Sequence, residues 1–197
     1  PYLKVYQIHS ATLETGVLKN KEVLKQLALL KKEHNLKIGL TTSGTNQVEV
    51  IKKALNVLVD DEQLFDMFQV TYNFLDQSLQ EVSDELINQK KSIIIKEALA
   101  NGRVFRNEKY VHYNKMYSTL EILSKKHQVG VDAISLKYCS QTIPKSIVLS
   151  GASNSQQLKQ NLKLNTFSLS TEEIQQLSAF KVDSGFYWKE RTQLQWN

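Results

Sequence analysis

The chain has 197 residues, of which 41% are hydrophobic, and a formal net charge of +5. This composition allows one sizeable core and excludes a disordered chain, and the apolar runs are far too short to span a bilayer. The positive charges are spread over predicted helix surfaces, so they do not indicate a nucleic-acid partner. The single cysteine, Cys139, excludes an internal disulfide and favours a reducing, cytoplasmic location. Its helical context predicts a half-buried apolar side chain.

Hydrophobic patterns alternate between strand and helix periods along the chain. Short β-favouring runs predict strands at residues 3–8, 36–41, 65–72, 92–95 and 146–150. Helical spacing predicts helices at residues 20–35, 48–58, 78–89, 117–126 and 131–141, and one that ends near Leu162. Ser170 and Glu173 form a capping box that predicts a further helix. Residues 103–113 show no period and predict a loop, and the tail with Trp188 and Trp196 is expected to fold over the body.

Five strands that alternate with helices predict a parallel sheet with right-handed crossovers. A doubly wound sheet and a (β/α)8 barrel both have this arrangement. The dinucleotide-binding form of the doubly wound sheet carries a G-x-G-x-x-G motif after its first strand, and the chain lacks it there. A barrel needs eight strands, whereas the pattern predicts five.

The stretch S-I-V-L-S-G-A-S-N-S-Q-Q-L-K-Q-N at residues 146–161 is typical of a strand, a tight turn and a helix start. Gly151 and the two small residues after it would let a ligand approach the backbone closely. The free N–H groups of the helix would face a phosphate at this turn. The amide side chains that could reach back are those of Gln157, Gln160 and Asn161. An ordinary strand–helix junction capped by Ser155 explains the spacing equally well.

The turn G-A-S-N-S-Q-Q-L-K-Q-N resembles the cofactor-binding turn of aldo-keto reductases, which holds the adenosine phosphates of a nicotinamide cofactor. Three further segments are similar to that family in the same order: Y-Q-I-H-S-A-T at 6–12, Q-V-T-Y-N at 69–73 and K-E-A-L-A-N-G-R at 96–103. The resemblance extends from Tyr2 to Trp196 and Asn197.

The resemblance implies an α/β fold, the (β/α)8 TIM barrel of the aldo-keto reductase type, with only about five of the eight βα units present. The family's order makes the strand at 3–8 the fourth and the strand at 146–150 the eighth. Residues 1–197 are therefore expected to be the C-terminal portion of a single barrel domain. The missing N-terminal barrel segment would be its partner.

The resemblance also implies a catalytic role for His9. Family members use an aspartate, a tyrosine acid, a lysine and a histidine, and only the histidine has a counterpart, within Q-I-H-S-A-T. His9 would donate a hydrogen bond to the substrate carbonyl oxygen. A histidine satisfied by Ser10 or Thr12 at a strand end is the alternative. The other three histidines are expected at the surface, without carboxylate partners: His34, His112 and His127. No metal site is expected.

The cofactor contacts follow from the same resemblance. Thr41 and Thr42 stand where the family holds the nicotinamide carboxamide, and Gln69 matches the glutamine that joins them. The loop along the pyrophosphate is matched by Lys96, Glu97, Leu99 and Gly102. Lys96 replaces a frequent aromatic residue, which implies altered stacking on the nicotinamide or, equally, a salt bridge with Glu97 or another carboxylate.

At the phosphate turn the implied contacts come from Gly151, Ser153, Gln157, Gln160 and Asn161. Ser153 and Gln157 replace basic residues that many NADPH-specific members carry. NADP is the expected cofactor, and NAD remains open.

The implied function is an NAD(P)-dependent oxidoreductase that interconverts an aldehyde, ketone or sugar carbonyl with the alcohol. Residues 1–197 alone are expected to be inactive, because they have no counterpart of the tyrosine acid, the aspartate or the lysine. A cofactor-sensing or regulatory binding subunit of the same fold is the alternative. The expected partner is a small-molecule carbonyl or alcohol, with neither nucleic acid nor membrane involved.

Overall fold

The computed structural model describes residues 2–194. The chain divides into two compact units, Pro1–Thr71 with Ser78–Ile94, and Tyr72–Gln77 with Ile95–Asn197. The strands of the described part are β1 (Val5–Ala11), β2 (Lys37–Thr42), β3 (Leu58–Val59), β4 (Glu62–Gln63), β5 (Met67–Thr71), β6 (Ser92–Lys96) and β7 (Ile147–Val148). Its α-helices are α1 (Lys21–His34), α2 (Gln47–Leu55), α3 (Gln80–Asn88), α4 (Asn114–His127), α5 (Val131–Thr142), α6 (Ser155–Leu162), α7 (Thr171–Ser178) and α8 (Ser184–Thr192).

The first unit is built on parallel strands. β1 pairs with β2, and β2 pairs with β5. The start of β6 follows β5, since the Ser92 amide donates to the Asp66 carbonyl at 2.9 Å. Consecutive residues of β2 and β5 are buried, as expected of strands that are covered on both faces. The α/β class with a parallel sheet is therefore confirmed.

The helix predicted at residues 20–35 is confirmed as α1. The Asn20 side chain accepts from the Val23 amide, and Asn35 ends the helix in the left-handed conformation with φ of 51°. The next helix is shorter than predicted, because α2 ends at Leu55 and Leu58 belongs to the hairpin of β3 and β4.

The hairpin turn explains that difference. Asp60 and Asp61 have φ of 50° and 63°, which is the signature of a two-residue type I′ turn. Leu58 pairs with Gln63 across the hairpin and is 57% exposed, so it is not part of an apolar helix face.

In the second unit the end of β6 lies beside β7, where the Leu149 amide donates to the Ile95 carbonyl at 2.9 Å. The strand predicted at 146–150 is reduced to Ile147–Val148, which within the described residues pairs on one side only. The capping box of α7 is confirmed, with reciprocal bonds between Ser170 and Glu173.

Two predictions of side-chain exposure are wrong in this unit. Cys139 was predicted to be half-buried but is completely buried, because the helix that carries it packs inside the unit. Its thiol donates to the Tyr72 carbonyl at 3.4 Å. Burial raises the pKa of the Cys139 thiol, so it is an inert core residue. The side chain of His127 is only 14% exposed, since it packs on Phe167 and lies 2.9 Å from the Glu173 carboxylate.

The loop predicted at residues 103–113 is only partly a loop. Glu108–Tyr113 form a 3-10 helix that begins where the Asn107 side chain accepts from the Lys109 amide, and α4 follows directly at Asn114. Trp188 lies in α8, whereas Trp196 falls outside the described residues. Among residues 2–194, no helix has the length and apolarity that crossing a membrane requires.

Candidate functional site

The carboxyl ends of three neighbouring strands place His9, Thr41 and Gln69 next to one another in the first unit. The register between β1 and β2 shifts from Ile8, opposite Leu40, to Ala11, opposite Thr42. His9 and Ser10 of β1 therefore both lie opposite Thr41 of β2. This two-to-one pairing is a β-bulge. Thr41 pairs in turn with Gln69 of β5. The bulge brings the predicted histidine into the same row as two predicted cofactor residues.

His9 is exposed at this bulge. Its Nε2 lies 3.5 Å from the hydroxyl of Ser10, which adopts a left-handed φ of 51°. A bond at that distance is at the long limit, so it satisfies the imidazole only weakly. The imidazole edge is therefore accessible for a hydrogen bond to a ligand.

The structure separates Thr42 from Thr41. Thr42 is completely buried, and its hydroxyl lies 3.4 Å from Oε1 of Gln47 on α2. The Gln47 amide also accepts from the Thr71 amide and donates to the Thr71 carbonyl and to Ser78. Successive residues of a strand point to opposite faces, so the side chains of Thr41 and Thr42 lie on different faces of β2. Thr42 belongs to a buried network that anchors α2.

In the second unit, the two segments that the sequence singled out line one cavity of about 630 Å³. One wall is the loop of residues 96–103, called the pyrophosphate loop below, and the other is the turn of residues 151–153 with the start of α6, the phosphate turn. The predicted cofactor residues that line the cavity are Lys96, Glu97, Leu99, Gly102, Gly151, Ser153, Gln157 and Asn161. Gln160 is not among the described lining residues.

The phosphate turn has an open backbone. Gly151 has a φ of +65°, and no atom lies within 4 Å of the position that a Cβ would occupy there. The cap of α6 is Asn154, whose side chain accepts from the Gln157 amide at 2.9 Å, and not Ser155, the cap in the alternative interpretation of this turn. The cap lies one residue earlier because the helix already begins at Ser155.

Two of the amides that could reach a ligand bond within the turn itself. Oε1 of Gln157 accepts from the Ser153 amide at 2.8 Å and from the Ser153 hydroxyl at 2.9 Å. Asn161 is 3% exposed and donates to the Ser150 carbonyl at 2.9 Å. Both side chains therefore fix the shape of the turn.

The pyrophosphate loop has an unusual backbone. Left-handed φ angles occur at Glu97, Ala100, Asn101 and Gly102, with values of 57°, 47°, 53° and 85°. Left-handed conformations are unfavourable for residues with a Cβ and are concentrated at functional sites. The turn is closed by the Ala100 amide, which donates to the Glu97 carbonyl at 2.8 Å.

The charged side chains among the described lining residues are Lys96 and Glu97 of this loop and Asp132 of α5. Lys96 is the one cationic side chain among the described lining residues. Burial lowers the pKa of its ammonium group, an effect that the nearby Glu97 carboxylate opposes. Oε2 of Glu97 accepts from the Tyr187 hydroxyl at 3.0 Å, and its Oε1 accepts from Nε of Arg191 at 3.1 Å. The Glu97 carboxylate is thus engaged by α8.

Sequence reasoning missed several residues of this region. Phe105 lines the cavity and is 42% exposed. Asn73 donates to the Glu97 carbonyl at 2.9 Å and lies 3.0 Å from the Tyr187 hydroxyl. Asn73 is the last residue of the quoted Q-V-T-Y-N segment, so a signal for it existed. His112, predicted without a carboxylate partner, lies 2.9 Å from Oε1 of Glu190.

Metal ligands do not cluster in the described part of the chain, where no three His, Cys, Asp or Glu side chains lie close enough to hold an ion.

A family model described as "Aldo/keto reductase family" matches residues 1–181. No curated protein matches the chain significantly. Similar solved structures include the thermostable aldo-keto reductase Tm1743 in complex with the inhibitor epalrestat, with 22% identity, a TM-score of 0.68, and coverage of 91% of this chain and 60% of that one.

A mutant of Gox0644 in complex with NADPH is 20% identical, with a TM-score of 0.70 over 94% of this chain and 61% of that chain. The aldo-keto reductase AKR11C1 from Bacillus halodurans is 22% identical, with a TM-score of 0.65 over 91% of this chain and 62% of that chain. At these identities the similarity establishes the fold. The chain spans about three fifths of the length of these structures.

Proposed function

The chain belongs to the aldo/keto reductase family, and from this premise we propose that it forms the cofactor-binding part of an NAD(P)-dependent oxidoreductase that interconverts a carbonyl compound and its alcohol. The observation that carries the proposal is the common cavity. Two segments about 50 residues apart in sequence, chosen for their resemblance to cofactor-binding motifs, line the same space of about 630 Å³.

The residues of this cavity fit a dinucleotide. Phosphate groups would lie at the phosphate turn, where Gly151 leaves the backbone open and the N-terminus of α6 favours negative charge. Lys96 would supply a positive charge at the other wall. Apolar lining from Leu99 and Phe105 suits the aromatic rings of the cofactor.

NADP is the cofactor we propose, with NAD as the alternative. The complex of Gox0644 with NADPH supports a phosphorylated cofactor in a protein of the same fold. At the phosphate turn of this chain, Ser153 and Gln157 offer a hydroxyl and an amide in place of basic side chains. A comparison of the two cofactors therefore belongs to every binding experiment.

For the chemical step we propose that His9 donates a hydrogen bond to the carbonyl oxygen of the substrate. The bound nicotinamide would supply the hydride. Negative charge develops on the oxygen as the hydride arrives, so a donor placed there stabilises the transition state more than the ground state. The exposed edge of His9 at the β-bulge is consistent with this role.

We further propose that residues 1–197 are the C-terminal portion of one barrel domain and that a preceding segment supplies the tyrosine, aspartate and lysine of the family. The chain's coverage of 60–62% of three similar structures supports this organisation. Aldehydes, ketones and sugar carbonyls are the proposed substrates.

The test is carbonyl-dependent oxidation of NADPH and NADH by the full-length protein that contains this chain, measured by absorbance with a panel of aldehydes, ketones and sugars. We expect turnover with at least one class of carbonyl. Cofactor binding without turnover on any of them would favour the regulatory subunit, and absence of both would contradict the proposal.

A further inference from the structure

Helix α8 contacts the pyrophosphate loop at both of its ends. The helix residues that make these contacts are Tyr187, Glu190 and Arg191. Their partners in the loop are Glu97 and Arg103. Glu97 lines the cavity, whereas none of the three α8 residues is among its described lining residues.

At the first end of the loop, α8 binds the carboxylate of Glu97. Tyr187 donates to Oε2 at 3.0 Å and Arg191 to Oε1 at 3.1 Å, so each carboxylate oxygen has its own donor. The side chains of Glu97 and Arg191 are each 11% exposed, and Tyr187 is completely buried. Burial raises the pKa of Tyr187 well above its ordinary value, so the hydroxyl stays protonated and remains a donor.

At the second end, α8 binds Arg103. Nη1 of Arg103 donates to the Tyr187 carbonyl at 3.1 Å and to the Glu190 carboxylate at 3.2 Å. Nε of Arg103 donates within the loop, to the Ala100 carbonyl at 3.0 Å. The guanidinium also lies 4.0 Å from the centre of the Tyr187 ring. Glu190 accepts a further bond from the Tyr113 hydroxyl at 2.6 Å, which fixes its position.

The loop between these two ends needs such support. Glu97, Ala100 and Asn101 all have left-handed φ angles although each has a Cβ. A backbone of this kind persists only where the surrounding structure imposes it. The α8 contacts are charge-assisted and largely shielded from solvent, and hydrogen bonds of this kind are roughly twice as strong as those between neutral groups.

We propose that α8 is a clamp that holds the pyrophosphate loop in its ligand-binding shape, with Glu97, Tyr187, Arg103 and Arg191 as positioning residues. Glu97 then acts through α8 and not as a direct cofactor contact. The identity of the ligand, a nicotinamide dinucleotide, rests on the proposed function. The shape of the loop does not.

The test is Tyr187→Phe in the full-length protein, with Tyr138→Phe as its matched control. Tyr187→Phe removes the hydroxyl that donates to Glu97 and accepts from Asn73, and it keeps the ring against Arg103. Tyr138 is also completely buried, and its hydroxyl lies 2.9 Å from Ser178, away from the cavity lining. Both variants lose one buried hydroxyl, which contacts Glu97 and Asn73 in one case and Ser178 in the other, so a reference cleavage site must correct for differences in global stability.

Limited trypsin digestion reports the loop without any cofactor, because Lys96 and Arg103 are tryptic sites at its two ends. We expect cleavage there to be roughly tenfold faster in Tyr187→Phe than in Tyr138→Phe, the change expected when one hydrogen bond to a carboxylate is lost. Cleavage after Lys53, which is exposed on α2, provides the internal reference for global unfolding. Arg191→Lys should show the same effect, because an ammonium lacks the planar donors of a guanidinium.

Titration with NADPH and NADH then measures the consequence for binding. We expect the dissociation constant to rise roughly tenfold in Tyr187→Phe and to stay at the wild-type value in Tyr138→Phe. Equal loop cleavage in the two tyrosine variants would overturn the clamp, whatever the cofactor does. A wild-type protein that binds neither cofactor would overturn the proposed function, and digestion would still decide the clamp.

Discussion

The pair Gly151→Ala and Gly16→Ala separates an effect on ligand binding from an effect on the backbone. The two glycines have nearly the same φ, +65° and +64°, and neither has an atom within 4 Å of the position of an added Cβ. Each substitution therefore places a Cβ in a left-handed conformation without a collision. The expected loss of unfolding free energy is about 1 kcal/mol in both variants.

Of these two glycines, Gly151 lines the cavity and Gly16 is not among its described lining residues. The Cβ added at Gly151 would project into the space through which a phosphate approaches the turn. Loss of one hydrogen bond between the backbone and a charged phosphate costs about 1.5–3 kcal/mol. The dissociation constant of the cofactor should consequently rise about 10- to 100-fold in Gly151→Ala and remain unchanged in Gly16→Ala.

Two measurements on the full-length variants decide the matter. Quenching of protein fluorescence gives the dissociation constants for NADPH and NADH, and chemical denaturation gives the free energies of unfolding. Equal dissociation constants for the two variants would refute the assignment of the phosphate turn. A much larger loss of stability in Gly151→Ala would instead refute the backbone comparison.

His9→Ala should lower kcat/KM by about two to three decades without changing the cofactor dissociation constant; parallel losses in both would indicate a structural histidine. Phe105→Ala should weaken NADPH binding about tenfold if the ring stacks on a cofactor base. Phe186 is equally exposed, at 42%, but is not among the described lining residues, so Phe186→Ala should leave NADPH binding unchanged. Similar NADPH affinities of the two variants would contradict the stacking. Burial opposes ionisation of Glu173, but hydrogen bonds, first that from Lys126, lower its pKa to about 2. Because the pKa of Glu173 is depressed in the folded state, about 3 kcal/mol of stability is present above pH 4.5 and is lost as the pH falls towards 2. The free energy of unfolding of Glu173→Gln, measured by denaturation at a series of pH values, should therefore fall less steeply at acid pH than that of the wild-type protein. Identical pH profiles for the two proteins would contradict this role of Glu173.

The sheet was predictable because its signal is local. Ile38, Leu40, Phe68 and Val70 are completely buried, and short β-favouring runs around them predict β2 and β5. The capping box at Ser170 was predictable for the same reason, since all of its atoms come from one turn of chain. Strand ends were less predictable, because the length of β7 depends on pairing that its own sequence does not contain.

The cavity walls were predictable from motifs, but their internal bonds were not. The resemblance selected Gln157 and Asn161 as ligand contacts, whereas each of them bonds within the turn. The orientation of Thr42 depends on Gln47, a partner on the following helix. Glu97 and Arg191 are 94 residues apart, and no period or spacing in a single sequence connects such a pair.

The most direct test of the account is a crystal structure of the full-length protein with NADP⁺ or NAD⁺ bound. The account predicts that the cofactor phosphates lie against residues 151–153 and the N-terminus of α6, with the pyrophosphate along the loop that begins at Lys96 and with Glu97 still bonded to α8. A dinucleotide that binds elsewhere and leaves this cavity unfilled would contradict it.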